Sequence, residues 1–274
     1  MTRADLPLPQ LRPFGRTQRR DRWWLQPLLV FLGLGGFIVY STWAAFQGVH
    51  YAFDGGGANY LSPFYSPLLW GEGTHAWLGP GPPSWWPSWL LFSPALLILW
   101  APGGFRFTCY YYRGAYYKAF WADPLSCTVG EPKFRGRRYR GEAWLPLILQ
   151  NVHRYFLYLA LLFLVILSYD AVESYRFGEP GDRHFGIGVG TLVLTLNPIL
   201  LGGYSLGCHS LRHLVGGRID QLSRRPTQKK AWDCVSCLNR RHMIWAWVSL
   251  VWVALADLYV RLCSMGYITD YRLI

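Results

Sequence analysis

The stretch Gln150-Asn-Val-His-Arg-Tyr155 decides the fold, because it places polar and ionisable side chains inside a long apolar run from Trp144 to Tyr169. The run is long enough for a helix that crosses a bilayer, which needs about 20 mostly apolar residues. An ionisable group in the hydrocarbon core costs several kcal/mol. We therefore expect His153 and Arg154 to face the interior of a helix bundle and to find polar partners there.

The rest of the chain has the composition of a membrane protein. Hydrophobic residues make up 52% of the 274 residues and charged residues only 15%, whereas soluble domains are about 25% charged. We predict an all-α integral membrane protein, with a basic arm over 1–22 and a five-helix membrane anchor over 23–274. The five predicted spans cover 24–46, 84–104, 144–169, 185–207 and 243–260.

Two of these spans carry residues that predict their shape. Pro87 and Pro94 lie in the second span, where they are expected to kink the helix. Gly203 and Gly207 lie in the fourth span with Gly-x-x-x-Gly spacing. Small residues at that spacing let another helix approach closely.

The connecting segments differ sharply in composition. Residues 47–83 are rich in Gly, Pro and aromatics and contain no Lys or Arg, which predicts an ordered cap lying on the membrane. Residues 105–143 form a polar loop, in which the aromatic and basic residues over roughly 108–121 predict an interfacial amphipathic helix. Residues 170–183 are a short acidic loop, and residues 208–241 are a second basic loop.

The placement of positive charge predicts the orientation. Of the 27 Lys and Arg residues, 22 lie in segments 1–22, 105–143 and 208–241, and only 4 lie in the other two loops and the tail. Cytoplasmic loops carry the excess of Lys and Arg. The amino terminus is therefore predicted to be cytoplasmic and the carboxyl terminus outside, with the chain in the plasma membrane. Orientation alone accounts for the net charge of +12, so no nucleic-acid partner is expected.

Cysteine and histidine residues collect where the spans meet the cytoplasm. Mixed Cys and His ligation suits zinc or an iron–sulfur cluster. Two Cys and two His on a [2Fe–2S] cluster is the Rieske pattern, whereas two His alone would suit a haem. The predicted metal ligands are drawn from Cys109, Cys127, Cys208, His153, His209 and His213. His242 is predicted to lie on the same, cytoplasmic side of the membrane.

The same Cys and His residues also allow interpretations that involve no metal. The usual soluble Rieske spacing, Cys-x-His with Cys-x-x-His, is absent. The cysteines can be small buried hydrophobes, and His209 and His213, four residues apart on a shared helix face, can point at lipid headgroups. The pair Cys234 and Cys237 has no second Cys pair to complete a zinc site.

Several segments resemble the membrane-anchor subunit of actinobacterial-type succinate dehydrogenases. They are Phe107-Thr-Cys-Tyr-Tyr-Tyr-Arg113, Tyr139-Arg-Gly-Glu142 with Leu145-Pro-Leu-Ile-Leu-Gln-Asn-Val-His-Arg-Tyr155, and Gly207-Cys-His-Ser-Leu-Arg-His-Leu-Val-Gly-Gly217. The segments Asn239-Arg-Arg-His-Met-Ile-Trp-Ala-Trp247 and Asp257-Leu-Tyr-Val-Arg-Leu262 are similar too. The resemblance extends over roughly 105–262. It implies an anchor that docks a flavoprotein subunit and an iron–sulfur subunit on the cytoplasmic side and feeds electrons from succinate to menaquinone.

The resemblance also bears on the cofactor. The better-known anchors of this enzyme class hold haem b between paired His. This chain adds Cys where its spans reach the cytoplasm, so a Rieske-like [2Fe–2S] cluster is the predicted redox centre and haem b is the alternative. The chain has no Gly-x-Gly-x-x-Gly fingerprint for a flavin or nicotinamide. Succinate oxidation is therefore expected on another subunit, and this chain belongs to the enzyme as its quinone-reducing side.

A bound menaquinone requires hydrogen-bond donors for its two carbonyl oxygens. The donors available near the cytoplasmic leaflet are Tyr110, Tyr112, Arg113, Tyr117, Trp121, Gln150, Arg154, Ser210 and Arg212.

A hypothesis of another class is a membrane transporter or a structural membrane protein with a zinc site. An odd number of spans and the lack of an inverted repeat disfavour the transporter.

Overall fold

The computed structural model describes residues 21–121, 148–178, 181–217, 221 and 224–274, and within them it leaves the side chain of Gln150 undescribed. The basic arm over residues 1–20, the second half of the 105–143 loop and Cys127 lie outside these residues. The predictions made for them are therefore not addressed by the fold.

Long apolar helices dominate the described part of the chain. They are α1 (Leu25–Gln47), α5 (Leu149–Glu173), α6 (Val189–Leu206) and α9 (His242–Ser264). Within the described ranges, these four are the helices long and apolar enough to cross a membrane. The helical character of the first, third, fourth and fifth predicted spans is thus confirmed, although α5 continues four residues past its predicted end.

The second predicted span has a different structure. Helix begins only at Pro94, and two short helices follow, α2 (Pro94–Ile98) and α3 (Trp100–Thr108). Proline fits the first turn of a helix, where its missing N–H costs nothing, and it holds the preceding residue extended. Ser93 accordingly has φ −138° and ψ 129°. The prediction of a helix over 84–104 was therefore wrong for its first ten residues.

The described residues also form three more helices and two small sheets. Helix α4 (Tyr110–Ala119) confirms the helix predicted over roughly 108–121. Helices α7 (His209–Gly216) and α8 (Pro226–Arg240) occupy the segment that was predicted only as a basic loop.

The predicted cap is ordered and contains strands that the all-α prediction lacked. Strands β1 (Ala52–Gly55) and β2 (Ala58–Leu61) form an antiparallel hairpin. Strands β3 (Arg176–Phe177) and β4 (His184–Phe185) form a second, smaller pair. Tyr60 and Tyr65 are fully buried beneath the hairpin segment. Burial of aromatic rings explains why a segment so rich in Gly and Pro is ordered.

Glycine residues allow close contacts between the packed helices. Helix α6 packs against α5 and α9, α3 packs against α5, and α1 packs against α4 and α9. A Cβ atom built on Gly203 would lie 2.5 Å from the Trp245 ring, and one built on Gly207 would lie 3.2 Å from Leu238. The close approach predicted from the Gly-x-x-x-Gly spacing is therefore confirmed.

The segment from Ser93 to Phe120 runs the length of α1 in the opposite direction. At one end, Ser93 Oγ and Gly48 N both donate to Tyr65 OH, at 3.4 and 3.1 Å, just past the end of α1. At the other end, the Phe120 ring lies 4.8 Å from the ring of Phe31, near the start of α1. Helices α2, α3 and α4 therefore connect the two ends of the bundle.

Candidate functional site

Two cysteines occupy equivalent positions at the end of the bundle where α5 and α9 begin. Cys109 joins α3 to α4, and Cys208 joins α6 to α7, each with an extended backbone at the N-cap of the following helix. They are only 2% and 1% exposed. The amide of Ser210 donates to Cys208 Sγ at 3.3 Å. Helix N-termini favour the thiolate form of cysteine, which is the form that binds metals.

Each cysteine faces a histidine that lies near the start of a long helix. His153 Nε2 on α5 lies 3.2 Å from Cys208 Sγ. His242 Nε2 on α9 lies 3.6 Å from Cys109 Sγ. These four residues line one cavity of about 550 Å³, together with Thr108, Tyr110, Tyr111, His209, Ser210 and Asn239. We call it the Cys/His cavity.

The hydrogen bonds of His153 indicate which of its two ring nitrogens carries the proton. Thr108 Oγ1 donates its one proton to the carbonyl of Gly104 at 2.8 Å. His153 Nδ1 lies 2.8 Å from the same oxygen, which can accept a hydrogen bond from a protonated Nδ1 while it donates to Gly104. A proton on Nδ1 leaves the Nε2 lone pair directed at Cys208. Metal-binding histidines are oriented by the same kind of outer hydrogen bond.

Two buried polar atoms near Cys109 lack partners among the described residues. They are His242 Nδ1 and Tyr204 OH. The Tyr204 ring stacks on His242 at a centroid distance of 5.0 Å, and the Phe105 ring stacks on His153 at 4.6 Å. Buried polar groups are nearly always satisfied, so these two atoms have hydrogen-bonding capacity left for water or for a bound group.

The protonation of the site residues outside the spans follows from burial. Burial raises the pKa of the Cys208 thiol to about 11, against the lowering effect of the Ser210 and Leu211 amides. The thiol is therefore protonated at neutral pH and must lose its proton to bind a metal. Burial lowers the pKa of His209, and the neighbouring His213 and Arg212 lower it further.

The remaining predicted ligands are arranged differently. His209 Nε2 lies 2.9 Å from His213 Nε2, so these two residues pair with each other. Across the residues that the structure describes, no three His, Cys, Asp or Glu side chains form a group that could hold a single metal ion. Cys234 and Cys237, which were read as incidental, are exposed on α8.

The predicted quinone-binding residues are scattered. Tyr110 and Ser210 line the Cys/His cavity, whereas Tyr112 is buried and donates to the carbonyl of Ala246 at 2.7 Å. Of the other described donors, Tyr117 packs against the exposed Trp121, Arg113 lies over the Tyr110 ring and Arg212 lies over the Trp232 ring.

The expectation that Arg154 faces the bundle interior was wrong. Its side chain is exposed and donates to the carbonyl of Asn151 at 3.2 Å. Consecutive helical residues point about 100° apart. Because His153 turns toward α3 and α6, Arg154 must turn away from them.

Two residues of this region were not among the predicted site residues. His242 was predicted to lie on the same side of the membrane as the ligands, and its position at the start of the fifth span was the signal that it could reach the site. Arg106 was considered only as one of the Lys and Arg residues of the 105–143 loop. Its guanidinium lies over the Tyr204 ring, 4.7 Å from the centroid, and donates to Tyr112 OH at 2.8 Å.

The apolar helices, with the Cys/His cavity at one end of their bundle, define a membrane-embedded protein. The sequence model described as actinobacterial succinate dehydrogenase subunit SdhC matches residues 25–266. The chain belongs to this family and is a membrane anchor subunit of succinate dehydrogenase. The resemblance noted from the sequence is confirmed, and the transporter hypothesis is set aside.

A solved structure agrees with this assignment. The chain is similar to one in the Mycobacterium smegmatis Sdh1 complex in the apo form, with 41% sequence identity and a TM-score of 0.81 over 98% of each chain. The search of curated proteins gave no match.

Proposed function

We propose that this subunit passes electrons from its partner subunits to menaquinone through a [2Fe–2S] cluster held by Cys109, Cys208, His153 and His242. The observation that carries the proposal is the convergence of two Cys/His pairs, from four helix ends, on one cavity. His242 replaces His209 and His213 in the predicted ligand set, because those two pair with each other.

The donor set fits a two-iron cluster better than a single ion. Rieske clusters divide two Cys and two His between two irons, so their ligands need not converge on one point. The partnerless His242 Nδ1 and Tyr204 OH supply polar groups beside the same cavity. When bound, such a cluster would store one electron at a potential set partly by hydrogen bonds to its sulfurs and by burial.

Haem b remains the alternative cofactor. It would use two histidines without cysteine, for example His153 with His209. The thiol beside each buried imidazole favours the cluster, because a thiolate is a ligand of iron–sulfur clusters and has no role in bis-histidine haem ligation.

The anchor is proposed to cross the membrane five times, with its amino terminus in the cytoplasm. Helices α2 and α3 would form a broken second span, since the segment from Ser93 to Phe120 joins opposite ends of α1. Non-helical backbone is tolerated at membrane depth where protein buries it. The Cys/His cavity then lies toward the cytoplasm, on the side of the Lys/Arg-rich loops.

The basic cytoplasmic side is proposed to dock the iron–sulfur subunit, which in turn carries the flavoprotein subunit. Succinate becomes fumarate on the flavoprotein, releasing two electrons and two protons. Menaquinone takes up two electrons and two protons and becomes menaquinol. The residues of this chain hold the redox centre and orient His153 between the two reactions.

Cysteine replacements test the proposal. The complex purified in mild detergent would be analysed for iron content and for the EPR spectrum after reduction. Cys109→Ser and Cys208→Ser are expected to remove a rhombic signal, whereas Cys234→Ser, at an exposed position on α8, should leave it unchanged. Unchanged spectra in both ligand variants, with a Soret band that His153→Ala abolishes, would replace the cluster by haem.

A further inference from the structure

A pocket with basic walls lies at the end of the bundle opposite the Cys/His cavity, where α5 ends and α6 begins. Its volume is about 580 Å³. We call it the basic pocket. The described residues that line it are Val172, Tyr175, Arg176, Arg183, His184 and Phe185. This lining contains two guanidinium groups and no carboxylate.

Arginine is scarce at this end of the chain, yet most of it gathers at the basic pocket. The loops and tail predicted to lie outside the cytoplasm hold only Arg176, Arg183, Arg261 and Arg272. Arg261 is 1% exposed and forms an ion pair inside the protein. Arg176 and Arg183 line the basic pocket, and Arg272 donates to His184 Nε2 at 2.8 Å. The three remaining arginines therefore concentrate positive charge at one place.

A single carboxylate partly neutralises the two arginines that line the basic pocket. Arg176 Nη1 lies 2.8 Å from Glu173 Oε1, and Arg183 Nη1 lies 3.6 Å from Glu173 Oε2. The second distance exceeds that of a hydrogen bond, which leaves the guanidinium of Arg183 able to donate to a further acceptor. Asp182, the adjacent acid, does not line the pocket. The described residues of the pocket therefore keep positive charge for an anion.

Aromatic residues place the basic pocket at the membrane surface. The Tyr175 ring stacks on the Phe185 ring at a centroid distance of 5.7 Å. Phe185 is 66% exposed, and Tyr169, near the end of α5, is 56% exposed. Tyrosine is enriched where membrane spans meet water. An anion in the basic pocket would thus lie at the depth of the lipid headgroups.

An apolar groove between α5 and α6 continues from the basic pocket, and the two share Val172 and Tyr175. We call it the α5/α6 groove. On α6 it is lined by Thr195, Pro198, Ile199, Gly202, Gly203 and Leu206. Its hydroxyls are satisfied locally, since Ser168 and Thr195 each donate to a backbone carbonyl of their own helix at 2.7 Å. From Thr195 to Leu206 the helix rises about 16 Å, close to half of a hydrocarbon core of about 30 Å. The groove therefore has the depth of one leaflet.

We propose that the basic pocket and the α5/α6 groove together bind one anionic phospholipid. Its phosphate would accept hydrogen bonds from Arg176 and Arg183, because guanidinium groups bind phosphate through paired N–H donors. One acyl chain would lie in the groove. A free phosphate ion would use the basic pocket alone, whereas a lipid uses both. The site does not depend on the redox centre, which lies at the other end of α5.

A photoreactive phosphatidylglycerol, with a diazirine in one acyl chain, tests the site in the purified complex. The label is expected on the peptides that contain α5 and α6. Unlabelled phosphatidylglycerol should compete for it, whereas phosphatidylcholine and inorganic phosphate should not. Ser168→Trp fills the groove, and it should fold because the Ser168 hydroxyl bonds only its own helix. Val165→Trp is the matched control, because Val165 is also exposed on α5 and does not line the groove.

Labelling should fall strongly in Ser168→Trp and persist in Val165→Trp. Arg183→Gln should raise the half-maximal concentration of phosphatidylglycerol about fivefold, the effect of one arginine on an anionic lipid. Arg183→Lys, which keeps the charge, should restore most of the binding. Arg224→Gln, at an exposed arginine just before α8, should leave it unchanged. Equal competition by phosphatidylcholine, displacement by inorganic phosphate, or an equal fall in both tryptophan variants would overturn the proposal.

Discussion

At the scale of single residues, the site depends on hydrogen bonds that orient its ligands. Thr108 holds His153 Nδ1 at 2.8 Å while donating its own proton to Gly104. The sequence predicted His153, Cys109 and Cys208 as candidates, because an ionisable group inside an apolar run needs a partner and because Cys and His collect where the predicted spans meet the cytoplasm. It could not predict the role of Thr108, because a hydroxyl in a helix ordinarily bonds its own backbone.

Thr108→Val is expected to impair metal loading while keeping the shape of the side chain. Without the hydroxyl, His153 loses the partner that fixes its tautomer, and affinity for the metal should fall about tenfold or more. Iron per complex and EPR intensity measure the effect. Thr108→Ser should restore both, and Thr195→Val, at a hydroxyl that bonds Thr191 O at 2.7 Å on α6, is the control. Full iron content in Thr108→Val would show that this hydrogen bond does not orient a ligand.

At the scale of elements, periodicity and length predicted four long helices correctly, since about 20 apolar residues leave few alternatives in a bilayer. The second span was predicted less well, because Pro94 starts a helix there instead of kinking one. Helices α7 and α8 were missed, because their charged residues carry no membrane signal. The turn of the chain at Cys109 and Cys208, which brings the two thiols together, depends on packing that a single sequence does not reveal.

The contact between α6 and α9 is expected to be sensitive to any side chain at position 203. Gly203→Ala places a Cβ 2.5 Å from the Trp245 ring, so the ring or a helix must shift. Overpacking of this kind costs about 1–3 kcal/mol. Thermal unfolding in detergent should show a lower midpoint for Gly203→Ala. Gly36→Ala, whose Cβ meets no atom within 4 Å, should unfold at the wild-type temperature. Equal midpoints would mean that α9 can move away from α6 at little cost.

At the scale of the whole molecule, the proposed electron route requires one orientation of the chain in the membrane. Asp54 lies in the cap and Lys229 lies on α8, and both are exposed. Asp54→Cys should react with a membrane-impermeant maleimide added to intact cells, because the cap is proposed to lie outside. Lys229→Cys and the native Cys234 and Cys237 should react only after permeabilisation. The reverse pattern would place the Cys/His cavity on the outer side, away from the proposed partner subunits.

The central claim is that electrons from succinate reach the quinone through the redox centre of this chain. The most direct measurement is rapid mixing of the intact complex with succinate, followed by freeze-quench EPR and then by addition of menaquinone. The rhombic signal assigned to Cys109, Cys208, His153 and His242 is expected to appear within the turnover time and to disappear when menaquinone is added. A Cys208→Ser complex that lacks the signal yet reduces menaquinone at the wild-type rate would contradict it.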